Sequence, residues 1–216
     1  DGSALASALL AGLYFEGDRL PKDIEKGFEW LEKASEKEPA YLPTIGRYLA
    51  TGIKGFKDVE RGIAILEQAF QKEQHFVAEW LGRIYEDGDI VPRDMEMARH
   101  WYQLGTERGI SACMISLGLM DLNSLGEARN AHSAKGLLEE AWRLGNVGAA
   151  AILGRMYVRG DGVDANDDIA FEWYRKGADA GDAVAAFHCG WMYETGKGIE
   201  EDPKHAEKCY RSAAEA

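Results

Sequence analysis

The sequence predicts an all-α fold, a right-handed α-α superhelix (solenoid) of six helix-turn-helix repeats of about 36 residues. Three observations predict it. A small residue recurs at Ala11, Gly46, Gly82, Gly118, Gly154 and Gly190, with spacings of 35, 36, 36, 36 and 36. Six residues after this anchor stands Gly17, Gly52, Gly88, Gly160 or Gly196, with Ser124 breaking the series in the fourth copy. Twelve residues after it comes Asp23, Asp58, Asp94, Asn130, Asn166 or Asp202.

The first helix of each copy carries the anchor. In the last copy, "DAVAAFHCGWMYE" has no proline and spaces small and large apolar residues at helical intervals. Gly196 and Gly198 then stop it, because glycine readily takes the left-handed backbone that ends a helix. The Asp or Asn at +12 is an N-cap, whose side-chain oxygen accepts a backbone N–H that the helix leaves unpaired. The second helix follows, as in "DIEKGFEWLEKAS" from Asp23. Small residues at +16 (Gly27, Gly62, Ala98, Ala134, Ala170, Ala206) and +23 let the two helices approach closely. The larger residues at +19, including Trp30, Trp101 and Trp173, read as core. One hairpin cannot bury its apolar faces alone, so the copies should stack into one domain over 1–216. The repeats run over about 1–36, 37–72, 73–108, 109–144, 145–180 and 181–216.

Composition narrows the partners. The formal net charge is −12, which repels phosphate backbones and anionic membrane surfaces, so no nucleic acid is expected. No apolar run approaches the ~20 residues of a membrane span, so no direct membrane insertion is expected. The opening "DGSALASALLAGLYFEG" has no basic flank, fits the repeat, and does not read as a signal peptide. Cys113, Cys189 and Cys209 are too few and too irregular for a disulfide framework. Free thiols favour an intracellular location over a periplasmic one.

No enzyme is expected. The chain has no H-E-x-x-H, G-x-S-x-G, Walker loop or C-x-x-C. Glycine pairs such as Gly160 and Gly162 recur with the period and are turns, not phosphate cradles. The five histidines lie at no metal-ligand spacing on one helix, so neither metal nor cofactor is expected. Cys189 and Cys209 occupy core slots on the two helices of one hairpin and read as neighbouring reduced thiols.

The segment "AAILGRMYVRGDGVDANDDIAFEWYRKGADAG", from Ala150 to Gly181, resembles the Sel-one-like repeat, a cousin of the tetratricopeptide repeat. The fifth and sixth copies fit best, the third nearly as well, and the first is good but has Ala11 at the anchor. The second has Leu49 in the tyrosine slot, and the fourth departs most, with Asp121 there and "LNSLGEARNAHS" in place of the glycine loop. The resemblance covers essentially the whole chain. It implies a non-catalytic scaffold or adaptor that binds a partner peptide or domain. Both ends fall at repeat boundaries, so a segment of a longer protein is expected.

The resemblance also implies that first helices line the concave side, with inward positions at −6, −3, +1, +4 and +5 from the anchor. The residues it assigns to a partner-binding face are Arg47, Arg83, Ile115, Leu119, Leu122, Asn123, Arg155, Val158, Arg159, Phe187 and Trp191. Arginine beside exposed apolar side chains suits a protein or peptide with acidic or carboxylate groups and apolar anchors. Those arginines could instead bridge acids of the neighbouring hairpin. Two alternative functions remain open: a structural module that drives homo-oligomeric assembly, with a homodimer as its simplest form, and an enzyme or ligand binder using the irregular fourth loop, Asn123 to Ser133.

Overall fold

A computed structural model describes residues 3–52, 54–123 and 130–216. Among them are twelve α-helices and no strand. They form two compact units, the first ending at Arg108 and the second beginning at Gly109.

The first unit holds three hairpins. They are α1 (Ala4–Glu16) with α2 (Ile24–Lys37), α3 (Leu42–Thr51) with α4 (Val59–Gln71), and α5 (Val77–Asp87) with α6 (Met95–Glu107). A single 3-10 turn, Pro39–Tyr41, leads into α3. The second unit repeats the plan with α7 (Ser111–Asn123) and α8 (Ala131–Arg143), α9 (Gly148–Arg159) and α10 (Asp167–Asp179), and α11 (Ala183–Thr195) and α12 (Pro203–Glu215).

The local signals in the sequence act as they should. Each second helix begins at the expected Asp or Asn, whose side chain accepts a backbone N–H two or three residues on. The +6 glycines that are described take φ between 67° and 79°, a region that costs any other residue a steric penalty. Ser124 and most of the irregular fourth loop, 124–129, lie outside the described residues.

One further bond unites all six copies. The backbone N–H of the N-cap donates to the carbonyl nine residues earlier, in the tyrosine slot of the first helix. The pairs are Asp23 to Tyr14, Asp58 to Leu49, Asp94 to Tyr85, Asn130 to Asp121, Asn166 to Tyr157 and Asp202 to Tyr193, at 2.9 to 3.2 Å. This latch needs no particular side chain at the carbonyl position. Leu49 and Asp121 therefore keep the hairpin geometry although they depart from the sequence pattern.

The anchor glycines bring the helices of a hairpin together. A Cβ on Gly154 would lie 2.6 Å from the Tyr174 ring, and one on Gly46 would lie 2.7 Å from Leu66. The second-helix residue that covers the anchor is thus at +20, as Leu31, Leu66, Tyr102, Leu138 and Tyr174, all buried. The core expected at +19 needs correction. Trp101 is buried, but Trp30 and Trp173 are only half-buried, with Lys33 and Lys176 ammonium groups 4.2 and 4.6 Å from their rings. Adjacent helix residues point about 100° apart, so +19 turns away from its own first helix. It meets the neighbouring hairpin instead: Trp101 packs edge-on against Phe70, and Trp173 against Trp142.

Each unit has its own core. Phe15, Phe28, Leu31, Ile45 and Leu49 cluster in the first. In the second, Met114, Leu138, Leu153 and Met156 form one cluster, while Phe171, Tyr174, Cys189 and Met192 form another.

Candidate functional site

The candidate binding residues divide between the units. Arg47 on α3 and Arg83 on α5 stand in the first, both exposed at the +1 position of consecutive copies. The Arg47 guanidinium lies 5.4 Å from the centre of the Trp80 ring. Arg83 is 3.5 Å from Glu79 on its own helix, an exposed i,i+4 pair of small energetic weight. Neither arginine bridges an acid of the neighbouring hairpin among the described residues.

These two arginines border a pocket of about 330 Å³ between the second and third hairpins. Ala50, Leu66, Ile84 and Ile90 supply apolar lining, Trp80 an aromatic wall, and Asp87 and Asp89 an acidic rim. A guanidinium held against an aromatic face keeps its outer N–H groups free for a carboxylate or a carbonyl. A concave apolar pocket with a few converging polar groups is the usual form of a recognition site.

The other nine residues stand in the second unit, in graded exposure. Asn123, Arg159 and Phe187 are exposed. Ile115, Leu119, Leu122, Arg155, Val158 and Trp191 are half-buried. Ile115 and Leu122 pack against the Met114 cluster, and Val158 and Trp191 against the Tyr174 cluster. Lys197 lies 5.1 Å from the Trp191 ring. These half-buried apolar members are therefore margins of the core that present edges, whereas Phe187 stands out as an exposed ring. Arg155 and Arg159 form no ion pair among the described residues.

Three groups here, Trp80, His188 and Tyr174, were not foreseen. Trp80 and His188 occupy position −2, one helical turn before +1 and thus on the same face. The signal was a large aromatic or imidazole ring at −2 in the third and sixth copies only. His188 stacks on the Tyr174 ring with centroids 4.8 Å apart. Burial and then the Arg155 charge hold its imidazole below the ordinary 6.5. Burial pushes the Tyr174 hydroxyl up to about 12, against the opposing pull of Arg155 and Arg159.

The thiols of the last hairpin are free. Burial, and then Cys209 beside it, pushes the Cys189 thiol up to about 12, which keeps it protonated and unreactive. Among the described residues no three His, Cys, Asp or Glu side chains could hold a metal ion, and no helix is long and apolar enough to cross a membrane. The fourth loop proposed as a ligand site lies, over 124–129, outside the described residues.

Comparison with known proteins agrees with the repeat architecture. The sequence model of the Sel1 repeat matches residues 4–38, 77–110, 111–146, 147–182 and 183–216. It includes the fourth copy, which departs most by eye, and passes over the second, where a proline turn precedes a first helix of ten residues. No curated protein sequence matches the chain. A protective antigen of uropathogenic Escherichia coli strains, displaying an SLR fold, superposes over 99% of this chain with a TM-score of 0.81 and 29% identity. A Sel1 repeat protein from Oxalobacter formigenes superposes over all of it at 0.78 and 25% identity. The chain spans 46% and 62% of the lengths of these two proteins. An immunity protein of Pseudomonas aeruginosa shares the fold, at a TM-score of 0.59, 17% identity, and coverage of 100% of this chain and 82% of its own.

Proposed function

The chain belongs to the Sel1 repeat family, whose members mediate protein–protein interaction, and from that premise we propose that it is a non-catalytic scaffold binding a partner peptide or domain on its first helices. The observation that carries this reading is the pocket between the second and third hairpins. Arg47 and Arg83 come from equivalent positions of successive copies and border one apolar pocket walled by Trp80. Arginine and tryptophan are the residues on which interface energy concentrates. A partner segment placing an apolar side chain in the pocket and a carboxylate at its mouth would use both features. The neighbouring Asp87 and Asp89 disfavour a uniformly acidic ligand and so sharpen the choice.

Crosslinked affinity capture from the native cell extract tests this, with wild type beside an Arg47→Glu, Arg83→Glu double variant. Both arginines are exposed, so the helical circular dichroism should not change. A protein retained by wild type and lost by the variant supports the reading. Equal recovery removes this face from it.

A further inference from the structure

Two hairpins show how a tyrosine over the anchor is satisfied, and a third lacks the partner. At +20 the chain carries Leu31, Leu66, Tyr102, Leu138, Tyr174 and Tyr210. Sixteen residues before them, on the first helix, stand Phe15, Ala50, Glu86, Leu122, Val158 and Glu194. Every leucine faces an apolar residue. Tyr102 and Tyr210 instead face glutamates, and their hydroxyls donate to Glu86 Oε2 and Glu194 Oε2, each at 2.6 Å. The fifth hairpin breaks the rule, because Tyr174 has Val158 where the carboxylate belongs.

The exception is not a silent one. Tyr174 is buried, yet its hydroxyl makes no hydrogen bond among the described residues. The oxygen is not sealed either, since the buried unpartnered side-chain atoms among the described residues are Trp101 Nε1 and Thr106 Oγ1. The fifth copy also has arginine at both +1 and +5, as Arg155 and Arg159, and no other copy does. Both charges act on the Tyr174 hydroxyl, and neither has an ion-pair partner among the described residues. The Tyr174 phenol and the charges of Arg155 and Arg159, one turn apart on the first helix, thus act at the position where a glutamate stands in the third and sixth hairpins.

We propose that Tyr174, Arg155 and Arg159 form a carboxylate-binding site for a Glu or Asp side chain of a partner peptide, an inference that rests on the scaffold reading above. The partner supplies from outside the group that Glu86 and Glu194 supply from within. A carboxylate has two oxygens and about four lone-pair directions, enough for the hydroxyl and both guanidiniums at once. Val158 and Trp191, at the edge of the adjoining core, favour an apolar residue beside the acid.

The test is nuclear magnetic resonance of the whole chain, following the Arg155 and Arg159 Nε–H and Tyr174 ring signals. The probes are the peptide acetyl-Ala-Leu-Glu-Leu-Ala-amide, its Gln analogue, and inorganic phosphate. The Glu peptide should move all three residues' signals and bind about tenfold more tightly than the Gln peptide. Val158→Glu should abolish that preference by occupying the site internally, as glutamate does at the same position in the third and sixth copies. Arg159→Gln alters only an exposed side chain and should reduce the preference even if Val158→Glu fails to fold. Equal response to the Glu and Gln peptides, or to phosphate and the Glu peptide, overturns the proposal. Neither result touches capture through Arg47 and Arg83, so this site and the scaffold reading fail separately.

Discussion

Replacing Gly82 by alanine should destabilise the protein, whereas the same change at the equivalent Gly118 should not. At Gly82 the new Cβ would lie 2.3 Å from Tyr102 Cε1, about 1 Å inside ordinary contact. Tyr102 cannot swing aside freely. It is fully buried, and its hydroxyl is tied to Glu86 at 2.6 Å. Overpacking costs about 1–3 kcal/mol, and a strained hydrogen bond to a carboxylate up to ~1.5–3 kcal/mol. The helix propensity of alanine returns about 1 kcal/mol. The net loss is about 2–4 kcal/mol, or roughly 5–15 °C in melting temperature for a chain of this size. At Gly118 the nearest atom is Leu138 Cγ at 3.4 Å, an ordinary contact. There the propensity gain of up to ~1 kcal/mol stands almost alone. Thermal unfolding followed by circular dichroism at 222 nm compares the two. A Gly82→Ala protein that melts with wild type, or a Gly118→Ala protein that falls as far, would refute the close approach as the reason for the anchor.

Other expectations follow from single contacts. His188 has a folded pKa below its unfolded 6.5, so the unfolded chain binds that proton first as the pH falls. Its contribution is full above pH 6.5 and is lost as pH falls from there toward the lowered folded value. In a resonance titration its midpoint should lie below 6.5 and rise in Arg155→Gln. Iodoacetamide at pH 8 should modify half-buried Cys209 before buried Cys113 and Cys189, as peptide mass mapping would show. Asn166→Ala removes the bond accepted from the Ile169 N–H at 2.9 Å. It should cost ~1 kcal/mol at the start of α10 and speed exchange of the Ile169 amide about fivefold.

The periodic features were the readable ones. Glycine at +6 and Asp or Asn at +12 act through backbone geometry that each hairpin needs alone, so their recurrence carries their meaning. The core slot was harder because large residues fill both +19 and +20. Only the packed hairpin distinguishes Tyr174, over Gly154, from Trp173, which turns toward Trp142. The candidate face was proposed from position +1, where Arg47 and Arg83 border one pocket. Position −2 escaped, and with it Trp80, because its importance comes from stacking against a residue of another copy. The pairing of tyrosine with glutamate was present as a co-variation between +20 and +4, but it acquires meaning only from the 2.6 Å bonds that join them. Loops that follow no period offer no such handle.

The central claim is that a partner sits on the first helices of the second and third hairpins. Site-specific photocrosslinking in the native cell extract tests it most directly, with benzoylphenylalanine at Thr51, an exposed residue lining the pocket, or at Glu60, exposed on the second helix α4. The account predicts a discrete crosslinked partner from position 51 and none from position 60. A partner crosslinked from position 60 and not from position 51 would contradict it.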